Sequence, residues 1–359
     1  MKDIVVLITC CGGMISPSQI YCLKSITERK VTVIGVDMEE YAIGAYLVDR
    51  FYRVPSGNDQ KYVPTILQIC REEKVDVILP CSHEEAMALT KEQDKFDPLG
   101  VKIAVSRYKY LELAFDKGTM YEHLQRSKLL CPEYFIVRSA EEFKAKASKL
   151  GYPRKPIVMK PRISRGGRGA RILTDKSLMH YLLEEKPGSL YDNLEKILSA
   201  LAAEKQFPEL ILMEYLPGEY YSVDLLAQGG KALITVPKVR IQGNPSQTLV
   251  GAVKKNAEAE TLAADICEAF QLDYNVNIEM KRSTAGQLLP YDLNPRPAAS
   301  VAFCAAAGAN LLYFSVKLAL EEELPAVKIK DEIIMIRSLR ELFVTPDKKF
   351  FMDEVAACR

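Results

Sequence analysis

Tyr291-Asp292-Leu293-Asn294-Pro295-Arg296 is the stretch from which this chain is best read. Leu288, Leu289 and Tyr291 make a short apolar run that predicts a strand, and successive strand side chains face opposite sides, so Asp292 and Asn294 project together. A carboxylate and an amide oxygen at i and i+2 suit a hard cation such as Mg²⁺, which takes a few protein oxygens and completes its shell with water and phosphate. Pro295 stops the strand and holds Arg296 just beyond the two oxygens, where a planar guanidinium grips phosphate or carboxylate. A strand end with a turn would also account for these six residues, so the choice rests on what lies upstream.

The 359 residues are enough for two or three domains with filled cores. Forty-eight Lys+Arg against forty-seven Asp+Glu leave a formal charge of +1, so no chain-wide field draws the protein to nucleic acid or membrane, and any anion site must be local. No apolar run approaches the roughly 20 residues of a membrane span, and Met1-Lys2-Asp3 leads straight into a strand. The expectation is a soluble cytoplasmic protein. Nine cysteines with no C-x-x-C pair sit mostly in apolar runs, which argues against disulfides and zinc. Three scattered histidines, His83, His123 and His180, are poor material for a nucleophile system.

From the N-terminus, a β-branched run at 3–9 ends in Cys11-Gly12-Gly13, a helix follows from about Ser16, and a second strand at 31–36 ends at Asp37. Strand, glycine turn, helix, strand and acidic residue is doubly wound α/β grammar. The glycine signature lacks a clean G-x-G-x-x-G, so a cofactor-free domain is expected. A helix at 59–73, a buried strand at 75–79 and a strand at 101–105 complete an open parallel α/β unit over 1–110.

A helical segment at 116–127, a strand at 134–137 and a helix at 139–150 precede the second informative stretch. There the apolar strand Ile157-Val158-Met159-Lys160-Pro161 ends in a lysine and runs into a loop carrying Arg165, Gly166, Gly167, Arg168 and Gly169. Glycines let backbone N–H groups approach an anion, and the arginines add charge, so the loop is suited to cover phosphates; a hairpin turn with solvated arginines is the plain alternative. It is not a P-loop, because Gly-Lys-Ser/Thr is missing and a strand, 170–174, follows. Two helices are expected over 175–205, then a strand at 210–213 running into the elbow Glu214-Tyr215-Leu216-Pro217-Gly218 and a strand at 222–227. A strand at 232–239, a polar loop at 240–255, a helix at 257–270 and a strand at 275–280 follow, the last placing Asn275, Asn277 and Glu279 on one face. The Ala/Leu-rich 298–321 reads as one core helix, and 333–344 as a final strand pair.

Together these motifs resemble the ATP-grasp superfamily, and in particular single-unit proteins similar to one synthetase half of the carbamoyl-phosphate synthase large subunit. The resemblance spans roughly 1–345 and implies an N-terminal open parallel α/β (pre-ATP-grasp) domain, 1–110, then a two-lobed ATP-grasp domain with antiparallel sheets. Of those lobes, 111–225 would be the linker and lid with the Gly-rich loop, and 226–359 the C-terminal subdomain with the metal site. By motif, Lys117 and Lys160 look like the two nucleotide-binding lysines, and Arg165, Gly166, Gly167 and Gly169 resemble the mobile loop that closes over ATP. Glu214, Tyr215 and Leu216 are similar to the adenine hinge. Asn277, Asp292 and Asn294 match metal-binding positions, and Arg296 matches the arginine that steadies the transferring phosphate. The ribose-binding glutamate is displaced, leaving Glu219 as its candidate, and Asp292 stands where relatives carry a longer Glu.

The resemblance implies an ATP-dependent ligase that joins a carboxylate, an amino acid or small peptide-like acid, to an amine through an acyl phosphate. Its cofactors would be ATP and magnesium, two ions, with manganese as an alternative, and Lys160 and Arg296 would be its catalytic residues. The alternatives are a carbamoyl-phosphate-type enzyme acting on bicarbonate, and a non-catalytic nucleotide-binding module. The partners expected are small-molecule carboxylate and amine substrates, with no nucleic acid and no membrane. A homodimer is expected because Ala298–Ala309 is hard to explain as a solvent-facing helix.

Overall fold

The computed structural model describes residues 1–351 apart from 165, 177–178, 180–182, 184–189 and 245–246. It is a mixed α/β fold in two compact units. Residues 1–111, 222–277 and the segment from Asn294 onward make the first, and 112–221 with 278–293 make the second.

The first unit opens with a five-stranded parallel sheet of β1 (Ile4–Ile8), β2 (Val31–Asp37), β3 (Arg50–Arg53), β4 (Val77–Leu79) and β5 (Lys102–Ile103), in the order β3-β2-β1-β4-β5. Both faces are covered, so the central strands are continuous apolar runs: Val6, Leu7, Ile8, Val33, Ile34, Val77, Ile78 and Leu79 are fully buried. Helices α1 (Ser16–Lys24) and α2 (Tyr62–Glu73) follow β1 and β3. The turn after β1 is closed by the chain itself: Gly12 N–H donates to Asp37 Oδ2 at 2.5 Å and Glu39 N–H to Oδ1 at 2.9 Å. A Cβ on Gly12 would lie 2.9 Å from that carboxylate. Helix α3 (His83–Lys91) was not anticipated, although Ser82 caps it and Glu85 follows three residues on.

In the second unit, α4 (Tyr108–Phe115) runs up to it and α5 (Lys117–Arg126) begins at an Asp116 cap whose carboxylate accepts from Gly118 N (2.8 Å) and Thr119 N (3.3 Å). Its sheet comprises β6 (Tyr134–Val137), β7 (Ile157–Pro161), β8 (Arg171–Leu173), β9 (Tyr191–Asp192) and β10 (Leu210–Glu214), in the order β6-β10-β7-β8-β9. All neighbours are antiparallel except β8 and β9. Helices α6 (Ala140–Lys149) and α7 (Leu194–Ala202) bury Phe143, Ala147, Leu194 and Leu198 against Ile157, Leu173, Leu210 and Leu212. The first of the two helices expected over 175–205 falls mostly outside the described residues.

A six-stranded sheet, in the order β15-β14-β11-β12-β13-β16, uses β11 (Tyr220–Gln228), β12 (Lys231–Asn244), β13 (Gln247–Val253), β14 (Tyr274–Arg282), β15 (Leu288–Asn294) and β16 (Ile334–Ile336). The expected loop at 240–255 is instead a ribbon, β12 running on through Asn244 and pairing with β13. Its Ile241, Gln242, Gly243 and Asn244 are exposed, so the ladder forms through the backbone without the apolar alternation that marks a strand in sequence. Helix α8 (Ala257–Ala269) precedes β14. The single helix expected over 298–321 is two, α9 (Val301–Ala306) and α10 (Leu311–Ala319), because Gly308 takes a left-handed φ of 100° and Asn310 caps α10 through Tyr313 N at 3.2 Å. The final strands do not pair with each other: β16 joins β13, and β17 (Leu342–Val344) joins β18 (Lys349–Phe351).

The core of the first unit explains why the C-terminal segment returns to the N-terminal sheet. Val6, Ile8, Leu23, Val33 and Leu79 pack in one cluster with Val301, Phe303, Ala307, Ala309, Leu312 and Val316. Asn310 Nδ2 donates to Cys22 O at 2.6 Å, and Lys317 pairs with Glu28 at 3.1 Å. Much of the alanine-rich stretch packs within its own unit, while Ala306 and Gly308 stay exposed. Among the described residues no helix is long and apolar enough to cross a membrane.

Candidate nucleotide and metal site

In the second unit, β7 ends by burying Lys160. Its amine donates to Tyr121 Oη and to the Tyr291 carbonyl, both at 2.9 Å, and lies 5.1 Å and 5.9 Å from the centres of the Tyr121 and Tyr291 rings. Burial first, and then the Lys117 ammonium, lowers this amine from 10.5 to about 7, against the pull of Asp292 and Glu279. Tyr121 Oη in turn donates to the same Tyr291 carbonyl at 2.9 Å. Lys117, the first residue of α5, forms an ion pair with Asp292 Oδ1. The structure thus brings together three residues singled out by motif, Lys117, Lys160 and Asp292, that come from widely separated parts of the chain.

Supporting contacts hold these heads in place. Arg162, two residues past Lys160, donates through Nε to Asp116 at 2.8 Å and through Nη1 to Glu209 at 2.7 Å, while Lys117 N–H donates to Arg162 O at 3.1 Å. The start of α5 is therefore tied to the end of β7, and a Cβ on Gly118 would come 2.8 Å from Arg162 Nε. Glu279 accepts from both Tyr220 Oη and Tyr291 Oη at 2.8 Å. Sequence reasoning missed Tyr121 as a site residue, yet it lies one helical turn beyond Lys117, at i+4, where the two share a face.

The glycine loop forms a turn in which Gly166, Gly167 and Gly169 take φ of 56°, 72° and 74°. A Cβ on Gly169 would sit 2.6 Å from Pro161 Cγ, so that position needs glycine for space as well as conformation. Arg168 is exposed, and Arg165 lies outside the described residues. At the hinge, Glu214 Oε1 accepts from Glu133 N–H at 3.0 Å, so this carboxylate is engaged by its own chain. Tyr215 lies under the Lys281 ammonium (5.5 Å), Leu216 is buried, and Gly218 N–H donates to Arg282 O at 3.0 Å. Glu219 is half-exposed and faces Arg282 Nε at 3.6 Å and Tyr221 Oη at 3.4 Å.

In the first unit, Asn277 is buried and gives both amide hydrogens away, to Ser222 Oγ at 2.8 Å and Asp224 Oδ1 at 2.7 Å. Asn294, at the end of β15, accepts through Oδ1 from Arg296 Nη2 at 3.2 Å, and Arg296 N–H donates to Asn294 O at 2.8 Å. Asn294 and Arg296 are thus coupled. Asn277, Asp292 and Asn294 each carry a hard oxygen donor, the type that suits magnesium rather than zinc. Among the described residues no three His, Cys, Asp or Glu gather as a separate metal cluster.

Comparison with known proteins finds two matching domains and distant relatives. Residues 206–342 match the family described as ATP-grasp in the biosynthetic pathway with Ter operon, and residues 6–104 match the PylC-like N-terminal domain. Carbamoyl phosphate synthase large chains of Archaeoglobus fulgidus and Thermus thermophilus are 24% and 23% identical over 79% and 74% of this chain. Those matches cover 25% of each relative, so the chain aligns with about a quarter of the length of these curated relatives. Among solved structures, the N5-carboxyaminoimidazole synthetase of Staphylococcus aureus complexed with ADP superposes with a TM-score of 0.70 at 15% identity, covering 94% of this chain and 82% of that one. The biotin carboxylase domain dimer of a Hydrogenobacter thermophilus 2-oxoglutarate carboxylase, holding MgADP, ADP and bicarbonate, gives 0.66 at 16%, with 92% and 73% covered. At such identities the likeness establishes the fold. Sequence matches and fold agree: the chain carries an ATP-grasp domain behind a PylC-like N-terminal domain and is homologous to part of the carbamoyl phosphate synthase large chain.

Proposed function

We propose that this protein is an ATP-dependent carboxylate–amine ligase whose substrates are an amino acid or small peptide-like acid and an amine. The observation that carries the reading is the convergence of the Lys117 and Lys160 amines on the Asp292 end of β15. A carboxylate oxygen of the substrate attacks the γ-phosphorus of ATP and ADP leaves. The amine nitrogen then attacks the acyl carbon, phosphate leaves, and the amine loses a proton. Neither step needs a protein nucleophile, in keeping with the absence of a histidine or cysteine from the residues just described.

Each role follows from a side chain's chemistry. Lys160, lowered to about 7 by burial, takes up a proton when phosphate arrives and holds the charge of the transferring group. Lys117 exchanges part of its pairing with Asp292 for phosphate oxygens. Asn277, Asp292 and Asn294 would hold magnesium, or manganese in its place, which would neutralise phosphate charge. Arg296, steadied by Asn294, grips the phosphoryl group or the acid. Gly166, Gly167 and Gly169, with Arg165, close over the phosphates and keep water from the acyl phosphate. Glu214, Tyr215 and Leu216 receive the adenine, and Glu219 the ribose.

A second reading takes bicarbonate as the acid, because one of the similar structures is a biotin carboxylase domain that holds this anion. Both are tested by following ADP release from Mg·ATP across a panel of amino-acid pairs, with and without added bicarbonate. The proposal expects release that depends on one acid and one amine together. Release that needs bicarbonate and one amine alone would favour the second reading, and none under any combination would count against catalysis.

A further inference from the structure

Beneath Asn277 lies a buried polar network that the mechanism above leaves unused. Ser222 and Asp224 stand at i and i+2 on β11, so both side chains face the same way, and both accept from the Asn277 amide. Asp224 Oδ2 accepts from Lys238 Nζ on β12 and from Cys304 Sγ on α9 at 3.2 Å, and Lys238 also donates to Ser300 Oγ at 2.7 Å. Asp224, Lys238 and Asn277 are each 3% exposed or less, and Cys304 is fully buried. Burial and the Asp224 carboxylate push the Cys304 thiol up, which keeps it a donor.

A buried ion pair is a poor way to stabilise a core, since desolvation offsets most of the attraction and well-packed apolar residues do as well. Its geometry suits another task. A carboxylate can only accept, so it must meet Nδ2 of Asn277 and never Oδ1. With both hydrogens of Nδ2 taken, the planar amide has one orientation left, and its carbonyl oxygen is turned away from Ser222 and Asp224. Lys238, Cys304 and Ser300 in turn leave the Asp224 carboxylate little freedom to rotate.

We propose that Asp224, braced by Lys238 and seconded by Ser222, is a positioning residue that sets the Asn277 amide with its oxygen presented to the metal. The inference rests on Asn277 as a magnesium ligand, and it assigns a function to three residues that no motif marked. Second partners of this kind typically change metal affinity by about 10- to 100-fold.

The test titrates Mn²⁺ into the full chain with ADP present, reading bound metal by electron paramagnetic resonance, alongside thermal unfolding. Two perturbations are compared with wild type. Asp224→Leu with Lys238→Met removes both buried charges together, and Ser222→Ala removes one acceptor and keeps the ion pair. The expected result is a folded double variant whose Mn²⁺ affinity falls about 10- to 100-fold, a smaller fall in Ser222→Ala, and turnover recovered at high Mg²⁺. A purely structural network would move the unfolding temperature and leave Mn²⁺ affinity at the wild-type value in both variants, and that outcome overturns the inference. Asp292→Asn separates the two levels. If it loses Mn²⁺ while the Asp224 and Ser222 variants keep it, the positioning role alone fails; if wild type binds no Mn²⁺ with ADP, the magnesium assignment fails with it.

Discussion

Replacing Lys160 with methionine isolates one buried titration and puts a magnitude on it. The amine ordinarily titrates at 10.5 and here sits at about 7, chiefly through burial. Below pH 7 it is charged in both folded and unfolded chains, and above 10.5 it is neutral in both. Between those values only the unfolded chain holds the proton, so wild-type stability climbs with pH across that window. At about 1.4 kcal/mol per pH unit the full climb is about 5 kcal/mol. Lys160→Met lacks this contribution while keeping a chain of similar length, and the lost hydrogen bonds to Tyr121 and Tyr291 carry no pH dependence of their own over that range. Urea unfolding of both proteins at pH about 7 and about 9 should therefore show wild type gaining about 2 kcal/mol relative to the variant, the folded amine being still half protonated at the lower pH. Parallel profiles would refute the buried, charge-depleted amine. Mg·ATP binding at pH about 8 should likewise draw a proton onto the protein, measurable by calorimetry in buffers of different ionisation heat, and Lys160→Met should abolish that uptake.

Asp292→Asn should leave the circular dichroism spectrum unchanged and lower ADP release by about 100-fold or more, because it removes the carboxylate that pairs with Lys117 while keeping its volume; ordinary activity at ordinary magnesium would sink the assignment. Asp116→Ala deletes the cap of α5 and the partner of Arg162, so it should cost about 1–2 kcal/mol in thermal unfolding and raise the KM for ATP, since Lys117 opens that helix. An unchanged KM would detach Lys117 from nucleotide binding. Gly166→Ala combined with Gly167→Ala forces side chains into left-handed backbone at about 1–2 kcal/mol each, and turnover should fall further than stability alone explains. In wild type, trypsin should cut after the exposed Arg168 and be slowed by Mg·ATP, and cleavage indifferent to bound nucleotide would reduce the loop to an ordinary turn.

Where side chains alternate or repeat with a clear period, the chain declares its fold: Tyr134–Val137 and Ile157–Pro161 are strands as expected, and α6 starts after its Ser139 cap. Legibility failed where backbone chemistry outweighed side-chain pattern. The β12–β13 ribbon carries Gln242, Gly243 and Asn244 on an exposed ladder, which reads as a loop. The break between α9 and α10 was signalled by Gly308 and Asn310 but hidden by the apolar residues on either side. At the site, Lys117, Lys160, Asp292, Asn277, Asn294 and Arg296 could each be singled out by motif. Tyr121, Asp224 and Lys238 could not, because what makes them matter is a partner distant in sequence: Tyr121 meets Lys160, and Asp224 meets Asn277 and Lys238. The return of 278–293 to the unit formed by 112–221 is likewise a tertiary fact, fixed by contacts such as Lys117 with Asp292.

The proposal that ATP phosphorylates a carboxylate is tested most directly by the fate of the acid's oxygen. Once a productive pair is found, the acid is supplied with heavy-oxygen-labelled carboxyl groups, and the released phosphate is examined by phosphorus NMR for the isotope shift. The account predicts one labelled oxygen in each phosphate released with product, and none when the amine-bearing substrate alone is labelled. ADP formation with unlabelled phosphate would mean that water took the phosphoryl group, and would contradict the acyl-phosphate mechanism.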